Sequence, residues 1–459
     1  MIHWSAPQVA GAAGGTLAGA PAGGEGTSDT PSGPGQVSID SRQARPGTLF
    51  IGLPGANYDG GQFAAAALAA GAWGAIVTPP NVEAARAAGS GIVITAADPL
   101  RALQSLATAW RRELGADVIG VTGSTGKTTT KDLLYALLSP HQRTSASRAN
   151  YNTEIGLPLE ILAAPAGTEV LVLEMAMRGV GQIAELAAIA EPDVGVIVSI
   201  GPVHLELLGT IENVAAAKAE LIAGLAPGAT AVLPAGEHLL TPHRREDVRT
   251  VTFGPGGDVD FVAQGERRVR IVAAETQIEL EVPFQQAHLR LDLLAAVAAA
   301  EAVGVTPTGR VDLALTAGRG ENLMVAGGIK VIDGCYNANP MSMRAALADL
   351  ADTAGREGAA RRVAVLGDML ELGPGALAYH EALGELVEQA GVDLLVTVGP
   401  LAAAISERFS GESQPLANAQ EAAAIVPELL QSGDLVLIKG SLGVGLKQVC
   451  DALGAGAQA

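Results

Sequence analysis

The stretch Val118-Ile119-Gly120-Val121-Thr122-Gly123-Ser124-Thr125-Gly126-Lys127-Thr128-Thr129-Thr130 constrains this chain more than any other. A short apolar run breaks into a glycine-rich turn and then into a helical pattern carrying Leu133, Leu134, Leu137 and Leu138. That order predicts a strand, a phosphate loop and a helix N-terminus. Glycines let backbone N–H groups turn toward an anion, and the helix start adds the positive end of its dipole. Lys127 supplies a point charge for a terminal phosphate, and the Thr128 hydroxyl suits Mg²⁺. Gly123, Ser124, Thr125, Gly126, Lys127, Thr128 and Thr129 are therefore the candidate nucleotide cradle. The usual pattern asks for a glycine where this chain has Val121, so the loop is a variant of the form TGSTGKT. A glycine- and threonine-rich turn with a solvated lysine is the bland reading. The strand-loop-helix context favours a nucleoside triphosphate site.

A chain of 459 residues is too long for one core and predicts about three domains. Aromatic residues are only 3% of it and glycines number 58, so the packing should be aliphatic, with close backbone approach. The formal charge of −19 argues against a nucleic-acid surface or an anionic membrane surface, and leaves phosphate to local positive sites. Cys335 and Cys450 make no disulfide framework and fit a reducing, cytoplasmic setting. No uninterrupted apolar run reaches about 18 residues, so no membrane span is expected. The N-terminus has no basic region ahead of its apolar residues and reads as mature protein.

From Met1 to about Glu113, strand-like runs at Val37–Asp40, Thr48–Leu53, Gly74–Val77 and Ile92–Ile94 alternate with helix-like runs at Phe63–Ala72 and Pro99–Glu113. This predicts a small α/β domain that includes a loose Gly-, Pro- and Ser-rich segment, Ala20–Gly35. Asp40-Ser41-Arg42 and Asp59-Gly60-Gly61 read first as turn chemistry. From about Leu114 to Thr316, strand and helix alternate again, as in a mostly parallel sheet. A strand over Val170–Leu173 ends at Glu174, and one over Val194–Ile200 runs into Gly201-Pro202-Val203-His204. Ligands collect outside the carboxyl ends of such strands, so Glu174, His204 and the phosphate loop can converge at one edge. Residues Val248–Pro283 read as a β-meander with a Gly254-Pro255-Gly256-Gly257 turn, closed by an Ala-rich helix over Leu291–Val303.

Lys218 stands on the apolar stripe of the predicted helix Glu212–Leu225, in register with Val214, Leu221, Ile222 and Leu225. A buried lysine is costly unless it is paired or chemically changed. Snorkelling to solvent is one reading. The other is an active-site lysine of lowered pKa that pairs with a carboxylate or carries a carbamate. The last part, from about Gly318, has strands at Ile329–Asp333, Val363–Leu366, Leu394–Val398 and Leu435–Ile438. These predict a doubly wound α/β fold. Asn339-Pro340 reads locally as an N-cap followed by a first-turn proline.

Taken in order, these residues resemble the Mur ligase family over almost the whole chain. The matching stretches are DSR at Asp40–Arg42, TGSTGKTTTK at Thr122–Lys131, NYNTEIGLPL at Asn150–Leu159 and LEMAMRGVGQI at Leu173–Ile183. They continue with GPVHLELLGTIENVAAAKAEL at Gly201–Leu221, GRGE at Gly318–Glu321 preceded by Ala317, YNANP at Tyr336–Pro340, LGDMLELG at Leu366–Gly373 and KGS at Lys439–Ser441. The family loop is of the TGxxGKT form, which accounts for Val121. The resemblance implies an α/β, three-domain Mur ligase architecture with a central P-loop ATPase domain and a C-terminal Rossmann-like domain. The divisions fall at 1–113, 114–316 and 317–459. It implies an ATP-dependent peptide ligase of cell-wall precursor synthesis, joining a UDP-N-acetylmuramoyl-tripeptide to D-Ala-D-Ala through an acyl phosphate. ATP and two Mg²⁺ ions are the expected cofactors, with a carbamate on Lys218. No nucleic acid or membrane partner is expected, and the enzyme should be a monomer.

Carried over residue by residue, the family pattern makes Lys127, Glu174, His204 and Lys218 the catalytic set. Thr128, Glu174, His204 and Lys218 become candidate metal ligands. Arg319 would reach nucleotide phosphates and Asp333 the ribose. Asn337 and Asn339 would line the nucleotide and dipeptide side of the cleft, and Ser41, Arg42, Asn152 and Arg178 the muramoyl-peptide side. The chain departs from the family where HNxxN becomes His288-Leu289-Arg290-Leu291-Asp292. It departs again at Gly61, Ala176, Gly334 and Leu442. A related ligase with another acceptor, or a nucleotide-binding paralogue without activity, are the alternatives these departures leave open.

Overall fold

In the computed structural model, which describes residues 1, 3–18, 33–273, 276–314, 316 and 318–454, three sheets follow one another along the chain. Residues 20–32 of the loose Ala20–Gly35 segment lie outside the described residues, as does Ala317. The first sheet has five strands in the order Thr16–Leu17, Ile92–Thr95, Gly74–Val77, Thr48–Ile51 and Gln36–Ser38. Only the first of these runs antiparallel to its neighbour. The strand expected over Val37–Asp40 stops at Ser38, because Asp40 turns to cap the short 3-10 helix Ser41–Gln43 and accepts from the Arg42 N–H at 3.0 Å. The helix Ala6–Ala12 was not expected; its small residues give no strong 3.6-residue pattern.

The helix Pro99–Leu114 joins the first sheet to the second. Asp98 accepts from the N–H groups of Leu100 and Arg101, Pro99 occupies the first turn, and Gly115 ends the helix at φ 61°. Its buried face, Leu103, Leu106, Ala107 and Trp110, shares one core with Trp4 and Ile76 on one side and Leu157, Ile161 and Leu171 on the other. The Trp110 indole N–H donates to the Ala164 carbonyl at 3.1 Å, so the two sheets share a mount held by packing and by a buried hydrogen bond.

The second sheet is the largest. Six of its strands are parallel, in the order Thr144–Ala146, Val170–Glu174, Asp117–Thr122, Val194–Ile197, Thr230–Pro234 and Arg249–Phe253. Successive side chains divide between its faces. Ile119, Val121, Val170 and Val172 pack with the helices Lys127–Leu138 and Ala287–Ala302, while Val118, Leu171 and Leu173 pack with the helix Ile211–Ala223. The meander expected over Val248–Pro283 is corrected at its start. Arg249–Phe253 is parallel to Thr230–Pro234, because the chain crosses back through His238–His243 before entering it. Val259–Gln264 is still parallel to Arg249–Phe253, and antiparallel pairing is confined to the ladders that Arg268–Ala273 makes with Val259–Gln264 and with Thr276–Glu281.

The third sheet has the order Glu321–Val325, Ile329–Gly334, Asp434–Lys439, Arg361–Gly367, Leu394–Val398 and Glu412–Leu416. It is parallel except for its first strand. Along Arg361–Gly367, Val363 and Val365 pack on one face, Ala364 and Leu366 on the other, which is the doubly wound arrangement the sequence predicts. Both edge strands were missed: Glu412–Leu416 is polar and largely exposed, and the apolar run of Glu321–Val325 is only Leu323-Met324-Val325, with Met324 exposed. Cys335 and Cys450, 115 residues apart, are buried side by side with Sγ–Sγ 3.3 Å and form no disulfide. Among the described residues no helix is long and apolar enough to cross a membrane.

Candidate active site

The phosphate loop leaves the second sheet at Thr122 and enters the helix Lys127–Leu138. Gly126 needs both of glycine's freedoms: its φ is 81°, and a Cβ there would collide with the Asp292 carboxylate and Val198. The segment after Val194–Ile197 braces the loop. Ser124 N–H donates to the Ser199 carbonyl at 2.9 Å, Thr125 N–H to Ser199 Oγ at 2.9 Å, and Ser124 Oγ to the Gly201 carbonyl at 3.1 Å. The strand expected to reach Ile200 therefore ends at Ile197, freeing Ser199 for this task.

Lys127 folds back so that Nζ donates to the Gly123 carbonyl at 2.8 Å. Burial holds its pKa down, with Glu174 opposing the shift and Arg319 adding to it. Thr128 Oγ1 donates to Glu174 Oε2 at 2.7 Å, and Asn152 Nδ2 donates to the other carboxylate oxygen at 2.8 Å. Glu174, only 1% exposed, thus joins the phosphate-loop helix to the Asn150–Leu159 stretch. Thr129 is buried on the same helix turn.

Lys218 is 2% exposed on the helix Ile211–Ala223, whose N-cap Thr210 accepts from the Asn213 N–H. Its Nζ has no hydrogen-bond or ion-pair partner among the described residues. Burial, and then the charge of Lys127, push its pKa far down. His204 sits at φ 54°, a left-handed conformation unusual for a side chain of its size. Its Nδ1 meets Glu371 from the loop after Arg361–Gly367, and the Glu371 carbonyl accepts from the Glu206 N–H at 3.2 Å. Glu371 is itself left-handed, at φ 63°. Gly373 packs onto Leu205 and Glu206, and Gly201 leaves room for Met341. The third sheet's loops are therefore docked against the second sheet at His204.

Arg319 lies over the Tyr336 ring with Cζ 4.0 Å from its centroid, and its charge bears on Lys127, Asp292 and Lys439. Asp292, one of the departures from the family pattern, is 7% exposed, and burial raises its pKa well above the usual carboxylate range. Lys439 Nζ donates to the Asn337 carbonyl at 2.8 Å, and its pKa is pushed down to about 8, chiefly by burial.

Lys127, Thr128, Glu174, Asn152, His204 and Arg319 thus gather with Lys218 around the loop. The remaining predicted residues stand differently. Asp333 is 2% exposed at the end of Ile329–Gly334: its Oδ1 accepts from the Cys335 N–H at 2.9 Å, and Lys447 Nζ lies 3.6 Å from Oδ2. Asn339 caps the helix Pro340–Glu357 and accepts from the Ser342 N–H at 2.9 Å; Asn337 Oδ1 accepts from the Ala338 N–H. Arg178 is exposed, 3.7 Å from Glu371. Ser41 and Arg42 lie on the first sheet beside an open cleft of about 340 Å³ lined by Gln36, Ser38, Gln43 and Arg45, with Arg42 paired to Asp40. Sequence reasoning gave no role to Glu371 or Ser199. An acidic residue inside the apolar loop Leu366–Gly373 was the available signal for the first; nothing local pointed to the second.

Three family models match the chain: the Mur ligase family catalytic domain at residues 35–111, the Mur ligase middle domain at 121–300, and the Mur ligase glutamate ligase domain at 318–442. A curated relative from Bacillus subtilis, UDP-N-acetylmuramoyl-tripeptide–D-alanyl-D-alanine ligase, is 35% identical over 90% of this chain and 92% of its own length. Among solved structures, MurF from Acinetobacter baumannii superposes with TM-score 0.85 at 28% identity, covering 98% of both chains. MurF from Thermotoga maritima, solved in complex with ADP, superposes with TM-score 0.79 at 29% identity, covering 91% of this chain and 96% of its own.

Proposed function

The chain belongs to the Mur ligase family, and from that premise we propose that it joins D-alanyl-D-alanine to a UDP-N-acetylmuramoyl-tripeptide with cleavage of ATP to ADP. It is an ATP-dependent ligase of peptidoglycan precursor synthesis. The observation that carries the site reading is the Thr128–Glu174–Asn152 chain, at 2.7 and 2.8 Å, which ties the phosphate loop to the strand end where a carboxylate substrate would meet it.

In this reading Lys127 leaves the Gly123 carbonyl for the terminal phosphate and stabilises the charge that spreads over the phosphoryl group as it passes to the peptide carboxylate. Arg319 adds a second cation from the third sheet. The amine of D-Ala-D-Ala attacks the acyl phosphate, and phosphate leaves from the tetrahedral intermediate. The donor set suits Mg²⁺: the Thr128 hydroxyl and Glu174 carboxylate are hard oxygen donors already in contact, His204 is an imidazole at the same edge, and Lys218 becomes an oxygen donor as a carbamate. Bound there, Mg²⁺ would offset negative charge on phosphoryl and acyl oxygens. Ser41, Arg42, Asn152 and Arg178 are assigned to the muramoyl peptide, Asp333 to the ribose, and Asn337 and Asn339 to the far side of the cleft. The three sheets support domains at 1–113, 114–316 and 317–459. The two free cysteines support a cytoplasmic enzyme, and a monomer suffices because one chain supplies every group named.

The test is ADP release with Mg²⁺-ATP and UDP-N-acetylmuramoyl-tripeptide, with and without D-Ala-D-Ala, reading the product mass. Release that needs both substrates, with a product heavier by the dipeptide less water, is the expected result. Retained ADP binding without turnover in any acceptor mixture would reject it. A second expectation concerns Glu371. Because it holds His204 from another sheet, Glu371→Ala should lower kcat by about 10- to 100-fold while the KM for the UDP-precursor stays within a small factor. An unchanged kcat would show that the contact positions nothing.

A further inference from the structure

We propose that Cys335 and Cys450 are a reversible disulfide-forming pair, which fastens the helix Lys447–Ala452 to the strand end that carries Asp333 and Tyr336. Cys335 follows the strand Ile329–Gly334 directly, and Cys450 lies on the last helix of the described chain. Both are buried in one apolar cluster with Val331, Val436 and Val449. Their sulfurs are 3.3 Å apart. A disulfide stands at about 2.05 Å, so closure asks for little more than 1 Å of approach, which side-chain rotation and a small helix shift can supply.

The same neighbourhood could be taken for a metal site, since an Asp333 oxygen and the two sulfurs all lie within 4.8 Å of one another. Three observations weigh against that. Two thiolates on one tetrahedral zinc at about 2.3 Å stand about 3.8 Å apart, wider than the pair found here. Only three donors are grouped there among the described residues. Lys447 Nζ is 3.6 Å from Asp333, where its charge would oppose a cation.

The oxidant is a peroxide. One thiol, most accessibly Cys450 when the short terminal helix lifts, attacks a peroxide oxygen and gives a sulfenic acid and water. The second thiol then displaces the sulfenic hydroxyl as water and closes the S–S bond. Two electrons pass from the sulfurs to the peroxide, and a dithiol reductant reverses the change. In the closed fold, burial and the adjoining sulfur keep Cys335 in its thiol form. Oxidation should therefore be slow and limited by helix opening.

The consequence for the site rests on the nucleotide reading above. The Cys335 N–H holds Asp333 Oδ1, and the next residue, Tyr336, carries Arg319. Stapling Cys335 to the last helix would stiffen the segment that, in that reading, presents both groups to ADP.

The experiment treats the full chain with hydrogen peroxide, then alkylates it with iodoacetamide in denaturant without reductant. The expected product has lost two hydrogen atoms, takes no label, yields a linked Cys335–Cys450 peptide and returns to two labels after dithiothreitol. Its melting temperature should rise by several degrees, and its ADP affinity should differ severalfold from that of the reduced protein. Cys450→Ala should give no linked peptide and bind ADP as the reduced protein does. Two free thiols after prolonged peroxide, a sulfinic acid on one cysteine, linked dimers, or one equivalent of zinc bound in place of oxidation would each overturn the pair. A linked peptide with unchanged ADP affinity would overturn the coupling to the site. Failure of both forms to bind ADP would instead reject the nucleotide reading, with the linked peptide still deciding the pair.

Discussion

Lys218→Ala should lose about 10²- to 10³-fold of ADP-forming turnover, and formate or acetate should restore part of it. On the helix Ile211–Ala223, Lys218 shares a stripe with Val214, Leu221 and Ile222 and is 2% exposed. An ammonium placed there without a partner would carry a large desolvation cost, so burial, and then the charge of Lys127, favour the neutral amine over the charged form. In the proposed reading the neutral amine adds CO₂, releases a proton and becomes a carbamate, which would place a carboxylate at the end of the four-carbon stem, where the charge of Lys218 already bears on His204 and that of Lys127 on Lys218. Alanine removes stem and carboxylate together and leaves a cavity that a small carboxylic acid fits. Lys218→Met is the control: it fills the space without a nitrogen, so it should be equally inactive and should not respond to added acid. Lys218→Met should melt near the parent, since it breaks no hydrogen bond and fills the space, whereas Lys218→Ala should melt lower because of the cavity it leaves. Full turnover in the alanine variant, or equal rescue of both, would end the carbamate reading.

Lys127→Ala should cost about 10³-fold or more in the same assay, with binding of the UDP-precursor unchanged in calorimetry. Lys127 is parked on the Gly123 carbonyl at 2.8 Å, inside a loop whose turn depends on Gly126 lying flat against Asp292 and Val198. Burial lowers its pKa there, and the nearby Glu174 opposes that shift. In the proposed mechanism the side chain would move from the Gly123 carbonyl to an arriving phosphate oxygen over a short distance. Lys127→Arg should not rescue, because a planar guanidinium cannot turn within the same loop as a point charge does. Turnover within tenfold of the parent would remove Lys127 from phosphoryl transfer.

Much of this enzyme was readable before its structure. The strand, loop and helix from Asp117 to Leu138 follow from a switch of period at glycines, and that signal is local. Burial of Lys218 was readable too, because a helical period places it among leucines. Missed elements share a different property. Glu321–Val325 and Glu412–Leu416 are edge strands whose ladder partners, rather than their own side chains, make them strands. Arg249–Phe253 resembles a meander strand in composition, and only the crossover before it decides that it is parallel.

The sequence alone determined what is encoded in neighbouring residues: the strand, glycine loop and helix of the phosphate cradle, the alternation that builds three α/β layers, and the choice of Lys127, Thr128, Glu174, His204 and Lys218 as candidates for the chemistry. Tertiary structure decided which distant groups those residues meet. Glu371 reaches His204 across 167 positions of chain, Ser199 braces Thr125 across 74, and Cys450 lies against Cys335 across 115. The physical reason is range. Periodicity and turn chemistry act over a few residues, whereas a hydrogen bond between loops depends on how whole sheets dock, and docking is set by the summed burial of faces such as Leu103, Leu106 and Trp110.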